Sequence, residues 1–365
     1  MKIVYLAGAD SIHSYRWIKY FADKGYDIYW ISLAPLTIGD SIKNVSICEL
    51  RTFPFKVLSV LTAVLKVKKI IKCIKPDILH AHYAGTYGLI GAASGFDPFI
   101  VTAWGSDVLL TEKDVIKRPL IKFVLNKANL ITCDAEHMRN AMMKLGVNGQ
   151  KITIIYFGTD INKFCLGQRC RSLRERLGVF DSPMIISLRS LEPIYDVETL
   201  IKAISLVLKE APDAKFVIAG KGSQEEYLKN LTKSQGVAGS TLFVGQITND
   251  ELPRYLRSSD IYVSTSLSDA GLSASTAEAM ASGLPVIITE TGENRLWVKD
   301  GENGFLISVK NPEILAEKIV VLLKENSMRA KYGDRNRKII EERNNYYVEM
   351  GKMERIYKEI KKRSA

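Results

Sequence analysis

The sequence predicts an α/β fold of two Rossmann-like, doubly wound domains, each a parallel sheet with helices on both faces. Three observations lead there. Strand-length apolar runs alternate with helix-length periodic runs along most of the chain. The alternation breaks once, in an arginine-rich stretch without strong period at 161–182. The length, 365 residues, suits about two domains, each with its own core.

The first domain is expected over 1–165. Residues 2–7 are a predicted strand, 13–23 a helix stopped by Gly25, and 27–32 a second strand, which completes one βαβ unit. No G-x-G-x-x-G follows the first strand, so a dinucleotide fingerprint is disfavoured there. Residues 53–75 are apolar and lysine-rich, and no acidic residue stands between Glu49 and Asp77. Such a helix suits an anionic membrane surface, met through residues 51–75. The alternative is a packed helix with a solvated basic face. Residues 76–83 read as a buried strand that delivers His80 and His82 at its carboxyl end, on one face because they are two apart. No third ligand stands near them, so no metal is expected. Residues 99–103 are the next strand, with Trp104-Gly105-Ser106-Asp107 as the loop after it. A strand at 129–134, a helix at 135–145 and a strand at 152–156 complete the half, and Gly158-Thr159-Asp160 turns out of it.

The second domain is expected over 166–345. Its strands are predicted at 184–187, 215–219, 241–244, 261–264, 285–289 and 304–307. Its helices are predicted at 197–209, 224–233, 249–257, 275–281 and 312–323. Thr248 and Glu251 match a capping box. Residues 346–365 are expected to form a C-terminal helix that packs back on the first domain.

One stretch carries the chemistry. Residues 264–288 read as strand, small-residue loop, short helix, Gly283 stop and next strand. Ser275 and Glu278 have capping-box spacing, which starts the helix at Ser275. The loop before it leaves backbone N–H groups uncovered, and with the helix dipole these can hold a diphosphate. Glu278 sits where its carboxylate could accept two sugar hydroxyls, or it only caps its helix. Arg189 follows the strand at 184–187, and a guanidinium is well shaped for a diphosphate. Lys221, between Gly220 and Gly222, is a further cation, for phosphate or for solvent. The carboxyl ends of the two sheets are expected to face each other across a cleft. The first sheet offers His13, His80, His82, Trp104 and Asp107 there, and the second offers Arg189, Lys221 and the 269–278 loop.

Composition narrows the classes. A hydrophobic fraction of 47% and a charged fraction of 25% are those of a soluble globular protein. No run of about 18 uncharged apolar residues suits a membrane span, and the N-terminus lacks a secretory cleavage site. Five scattered cysteines fit a reducing cytosol and neither a disulfide frame nor a zinc site. The net charge of +11 calls for an anionic partner. No basic–aromatic platform stands out, so nucleic acid is not expected.

These residues resemble the retaining glycosyltransferases of family 4, whose architecture is called GT-B. That family carries a Glu-x7-Glu motif, and Glu278-Ala-Met-Ala-Ser-Gly-Leu-Pro-Val-Ile matches its second half. The run Ile154 to Phe164 resembles its interdomain segment, His80 to Tyr83 and Trp104 to Asp107 resemble its acceptor-side loops, and Ser11 to Trp17 is similar to one branch of it. There are two departures. The first Glu of the motif falls on Ala270, with Asp269 beside it as a substitute. The lysine expected about six residues after Arg189 is replaced by Tyr195 and Asp196.

The resemblance implies transfer of a sugar from a nucleotide-diphosphate donor, UDP-linked by family habit, to a glycan or lipid-linked acceptor in surface polysaccharide biosynthesis. The nucleotide sugar is then a substrate, and neither cofactor nor metal is implied. Glu278 would take the ribose hydroxyls, and Asp269 the donor sugar. Arg189, Lys221 and the segment Gly271, Leu272, Ser273, Ser275 and Thr276 would meet the diphosphate. His82 or His80 would orient a hydroxyl, with His13, Trp104 and Asp107 on the acceptor side. The location implied is cytoplasmic, peripheral on the inner face of the membrane. A sugar-nucleotide epimerase of the same architecture and a nucleotide-sugar-binding protein with little activity are the alternatives.

Overall fold

The computed structural model describes the chain except residues 38–41, 51–55, 110–113, 115–116, 270 and 365, and leaves the side chains of 56–58 and 364 aside. The start of the basic segment and Ala270 therefore lie outside the described residues. The chain divides into two compact units, Met1–Phe157 with Tyr347–Ala365, and Gly158–Tyr346.

The N-terminal unit holds seven strands: β1 (Lys2–Leu6), β2 (Asp27–Ser32), β3 (Val45–Glu49), β4 (Ile78–His82), β5 (Phe99–Thr102), β6 (Leu130–Cys133) and β7 (Ile152–Ile154). All pair in parallel, in the order β3-β2-β1-β4-β5-β6-β7. A parallel sheet is covered on both faces, so its inner strands read as unbroken apolar runs. β1 buries all but Lys2, and β4 buries all five residues. The edge strand β3 was not expected, because it is only partly buried and its apolar signal is weak. Helices Thr86–Ser94 and Lys117–Lys127 were also missed. The first is rich in Gly and Ala, and the second carries a proline in its first turn.

Two histidines in β4 would be costly in an apolar sheet unless satisfied. Register sets Tyr5 beside His80 and Thr102 beside Thr132. His80 Nε2 lies 2.7 Å from Thr102 Oγ1, which lies 2.7 Å from Thr132 Oγ1. The C-terminal helix Tyr346–Ser364 completes this polar row. Its Tyr357 hydroxyl is 2.5 Å from His80 Nδ1 and 3.0 Å from Tyr5 Oη, and Trp17 Nε1 donates to it at 3.4 Å. Lys24–Glu354 and Lys361–Asp77 ion pairs hold the helix at its rim.

The C-terminal unit holds six strands: β8 (Met184–Leu188), β9 (Lys215–Ala219), β10 (Thr241–Gly245), β11 (Ile261–Ser264), β12 (Val286–Thr289) and β13 (Gly304–Ile307). They are parallel in the order β10-β9-β8-β11-β12-β13. Residues 158–165, expected with the first domain, belong here. Thr159 exchanges backbone hydrogen bonds with Asn344 and Tyr346, and Arg337 donates to the carbonyls of Ile161 and Phe164. Arg337 lies in a helix, Asn326–Arg343, that the sequence reading missed. Most of its exterior is charged, and only Tyr332, Gly333, Asn336 and Ile340 are buried, close to a four-residue spacing. The helix expected at 249–257 starts later, at Leu252, with the Thr248 hydroxyl accepting from the Glu251 N–H. Among the described residues no helix is long and apolar enough to cross a membrane, and the five cysteines form no disulfide.

Candidate active site

In the C-terminal unit the strand order reverses between β8 and β11, the place where open parallel sheets receive ligands beyond their strand ends. Arg189 leaves β8 at this point. Its Nη2 donates to Asp269 Oδ1 at 2.6 Å and lies 3.5 Å from Ser266 Oγ, and the guanidinium sits 4.4 Å from the Tyr195 ring centroid. The paired side chains are only 9% and 7% exposed. Asn294 Nδ2 fixes the other carboxylate oxygen at 3.4 Å while also donating to the Thr289 carbonyl at 2.9 Å. The loop after β11 is strapped to the Tyr195 turn. Thr265 Oγ1 donates to the Tyr195 and Asp196 carbonyls, and the Leu267 N–H to Ile194.

The Gly220-Lys221-Gly222 run has a structural reason. Gly220 has φ +142°, and a Cβ there would stand 2.2 Å from the Arg189 carbonyl oxygen. One on Gly222 would stand 2.3 Å from the Leu191 carbonyl oxygen. The loop after β9 thus lies directly on the backbone that carries Arg189, with Lys221 exposed on it.

The helix after the small-residue loop spans Ala274–Ala281, and its N-cap is Ser273, whose Oγ accepts from the Thr276 N–H. The capping box expected between Ser275 and Glu278 is therefore not formed. Tyr262, rising from β11, takes both hydroxyls that could compete, Ser275 Oγ at 2.9 Å and Thr276 Oγ1 at 3.3 Å. Gly271 and Leu272 lead into the cap. Glu278 lies beyond the first turn and is half-buried, so capping does not account for it. Arg337 donates to the Ala281 carbonyl and anchors the other end of the helix.

In the N-terminal unit the order reverses between β1 and β4. The helix Ile12–Asp23, capped by Ser11, follows β1 and carries His13 in its first turn. His13 stacks on Phe157 with centroids 4.7 Å apart and meets Trp104 edge-on at 5.4 Å. His82 lies beneath, 1% exposed, with its ring centroid 5.6 Å from that of Trp104 and its Nδ1 3.1 Å from Ser14 Oγ. His82 Nε2 and Trp104 Nε1 are buried without a hydrogen-bond partner, which is rare and marks a site worth explaining. His80 is one layer deeper, with both ring nitrogens used by the polar row. Asp107 is buried behind the loop, its carboxylate accepting from the N–H groups of Ala84, Trp104 and Gly105.

Burial holds these imidazoles neutral. His82 is lowered to about 3 by burial and then by His13. His13 is lowered to about 4 by burial and then by Arg16, and burial also carries His80 well below its ordinary value. The unfolded chain takes up these protons near pH 6.5, before the folded chain does, so stability falls as pH drops below that value. Chemical denaturation at pH 7.5, 6.5, 5.5 and 5.0 should lose stability toward a slope of about 4 kcal/mol per pH unit, three protons' worth. A flat profile would mean that the imidazoles charge without opening the unit.

Two family models match the chain. Residues 171–339 match "Glycosyl transferases group 1", and residues 2–135 match "Glycosyl transferase 4-like". The chain belongs to the GT4-type glycosyltransferases. It is 23% identical over 357 residues to the N-acetyl-alpha-D-glucosaminyl L-malate synthase of Bacillus anthracis, covering 94% of this chain and 91% of that one. It is 24% identical over 225 residues to the GDP-mannose-dependent alpha-(1-6)-phosphatidylinositol monomannoside mannosyltransferase of Mycolicibacterium smegmatis, covering 60% and 59%. Its fold is shared with Anabaena HepE, crystallised with UDP, at a TM-score of 0.81 and 20% identity over 98% of this chain and 100% of that one. This GT4-type enzyme is a nucleotide-sugar-dependent glycosyltransferase of GT-B architecture.

Sequence reasoning missed several residues of the two candidate sites. Phe157 stacks on His13, Ser14 holds His82, Tyr195 underlies Arg189, and Asn294 steadies Asp269. Ser14 carried a readable signal, since it follows His13 in the first turn of the helix after the first strand. Tyr195 stood in the region where a lysine was expected after Arg189, whereas Phe157 and Asn294 come from segments distant from His13 and Asp269.

Proposed function

We propose that the enzyme uses a UDP-sugar and transfers the sugar with retention of anomeric configuration, without a metal, to a glycan or lipid-linked acceptor in surface polysaccharide biosynthesis. The observation that carries this reading is the switch point itself: Arg189 follows β8, and the neighbouring β11 leads through the small-residue loop into the helix that bears Glu278. Glu278 accepts the ribose hydroxyls. Arg189, Lys221 and the segment Gly271, Leu272, Ser273, Ser275 and Thr276 stabilise the leaving diphosphate as its charge develops. Asp269 faces the donor sugar. On the acceptor side, His82 Nε2 and Trp104 Nε1 hydrogen-bond an incoming hydroxyl once the His13–Phe157 stack yields, while His80 and Asp107 brace them from behind. UDP is preferred because HepE, which carries it, aligns over 98% of this chain.

Binding and hydrolysis of UDP- and GDP-sugars, with and without EDTA, test this. We expect one donor to bind, its nucleotide to be released slowly in EDTA, and the product to keep the donor's anomeric configuration by NMR. Failure to bind any nucleotide sugar would sink the reading. Binding without release would favour a nucleotide-sugar-binding protein with little turnover, which the capture of Arg189 by Asp269 also supports.

The location proposed is peripheral, on the cytoplasmic face of the membrane. Helix Lys56–Ile74 buries Ala63, Val67 and Ile71, yet leaves Leu61 and Leu65 59% and 68% exposed beside exposed Lys66, Lys68, Lys69 and Lys72. Apolar side chains flanked by lysines suit an anionic bilayer, each lysine near the surface adding about 1 kcal/mol. Co-sedimentation with phosphatidylglycerol vesicles should exceed that with phosphatidylcholine and be lost on changing Lys68, Lys69 and Lys72 to Glu. Equal sedimentation with both lipids would remove the proposal.

A further inference from the structure

We propose that Asp269 makes the donor site discriminate between an intact nucleotide sugar and the nucleoside diphosphate left after transfer. The inference rests on the reading of Arg189 as a diphosphate ligand. Asp269 Oδ1 holds Arg189 Nη2 at 2.6 Å, and Asn294 reaches only the other carboxylate oxygen. With both side chains less than a tenth exposed, little water screens the pair. A diphosphate arriving at the guanidinium sets its negative charge against this carboxylate. It also leaves Oδ1 short of a donor, and a diphosphate has only acceptors to offer. An intact nucleotide sugar brings the same diphosphate together with sugar hydroxyls, which are donors. One of these hydroxyls can replace the guanidinium on Oδ1, so the donor compensates the carboxylate that the product leaves unpaired. When the sugar departs, Asp269 loses that partner, retakes Arg189 and loosens the hold on the diphosphate. Asp269 is thus a specificity-determining residue that also favours product release.

Calorimetric titration of the full chain with UDP, GDP, UDP-glucose, UDP-N-acetylglucosamine and GDP-mannose tests this. The wild-type protein should bind its preferred nucleotide sugar more tightly than the matching diphosphate. Asp269→Asn, neutral and nearly isosteric, should bind the diphosphate about 10-fold more tightly, the effect of removing one like charge at close range. Its affinity for the nucleotide sugar should not rise, so the order narrows or reverses. Asp269→Ser, small enough for water to solvate Arg189, should behave alike and serves if the asparagine variant does not fold. Diphosphate affinity unchanged or weakened in the folded neutral variants would overturn the inference while leaving the donor site intact. If wild-type protein binds none of the five compounds, the donor-site reading falls first and takes this one with it.

Discussion

Replacing Glu278 with alanine is expected to lower kcat/KM by about 10²–10⁴-fold while the fold is kept. Two hydrogen bonds to an ionised carboxylate are worth about 3–6 kcal/mol when both are lost, and 1.4 kcal/mol is about a factor of ten. Stability should change by no more than about 1 kcal/mol. The helix N-cap is Ser273, so Glu278 does not hold the helix start, and alanine is the better helix former. Glu278→Gln keeps one good acceptor and should fall between. The measurement is kcat/KM together with a thermal melt. An alanine variant that melts like wild type and turns over at the wild-type rate would remove Glu278 from the site.

Arg189→Ala is expected to destabilise the C-terminal unit by about 3–5 kcal/mol, because it strands Asp269 as a buried, unpaired carboxylate. The same change removes the side chain assigned to the diphosphate, so donor binding should be lost as well. A double variant separates the two effects. Arg189→Met with Asp269→Leu replaces the ion pair by apolar groups of similar size, and such exchanges are often neutral or stabilising. Denaturant midpoints should recover in the double variant, while donor binding should not. Recovery of both would mean that Arg189 serves the fold alone.

Much of the fold was readable because a parallel sheet buries both faces. β4 and β8 announce themselves as short apolar runs, and the residues that follow them, Tyr83 and Arg189, are set beyond strand ends by that fact alone. The helix of Glu278 was readable to within one residue, though its cap was not. Ser273 and Ser275 are both good caps by type, and the choice was made by Tyr262 from below. The Arg189–Asp269 pair was hidden for a similar reason. The two residues are eighty apart in sequence, and each had a plausible partner in a ligand. Helix Asn326–Arg343 escaped because only four of its residues are buried, and one of those is a glycine.

The helix Tyr346–Ser364 has a consequence for synthesis. Tyr357 meets Tyr5, Trp17, Phe21 and His80, all of which leave the ribosome long before it. Between them and their partner lies the whole of Gly158–Tyr346, about 190 residues. At about 5–20 residues per second, the nascent N-terminal unit waits roughly 10–40 s for its last helix. During that interval its aromatic cleft is open to water, and the polar row across its sheet has no hydroxyl at its end. The N-terminal unit is therefore completed only after the C-terminal unit has been made, and a nascent chain stalled before residue 347 presents chaperones with an unsealed first unit.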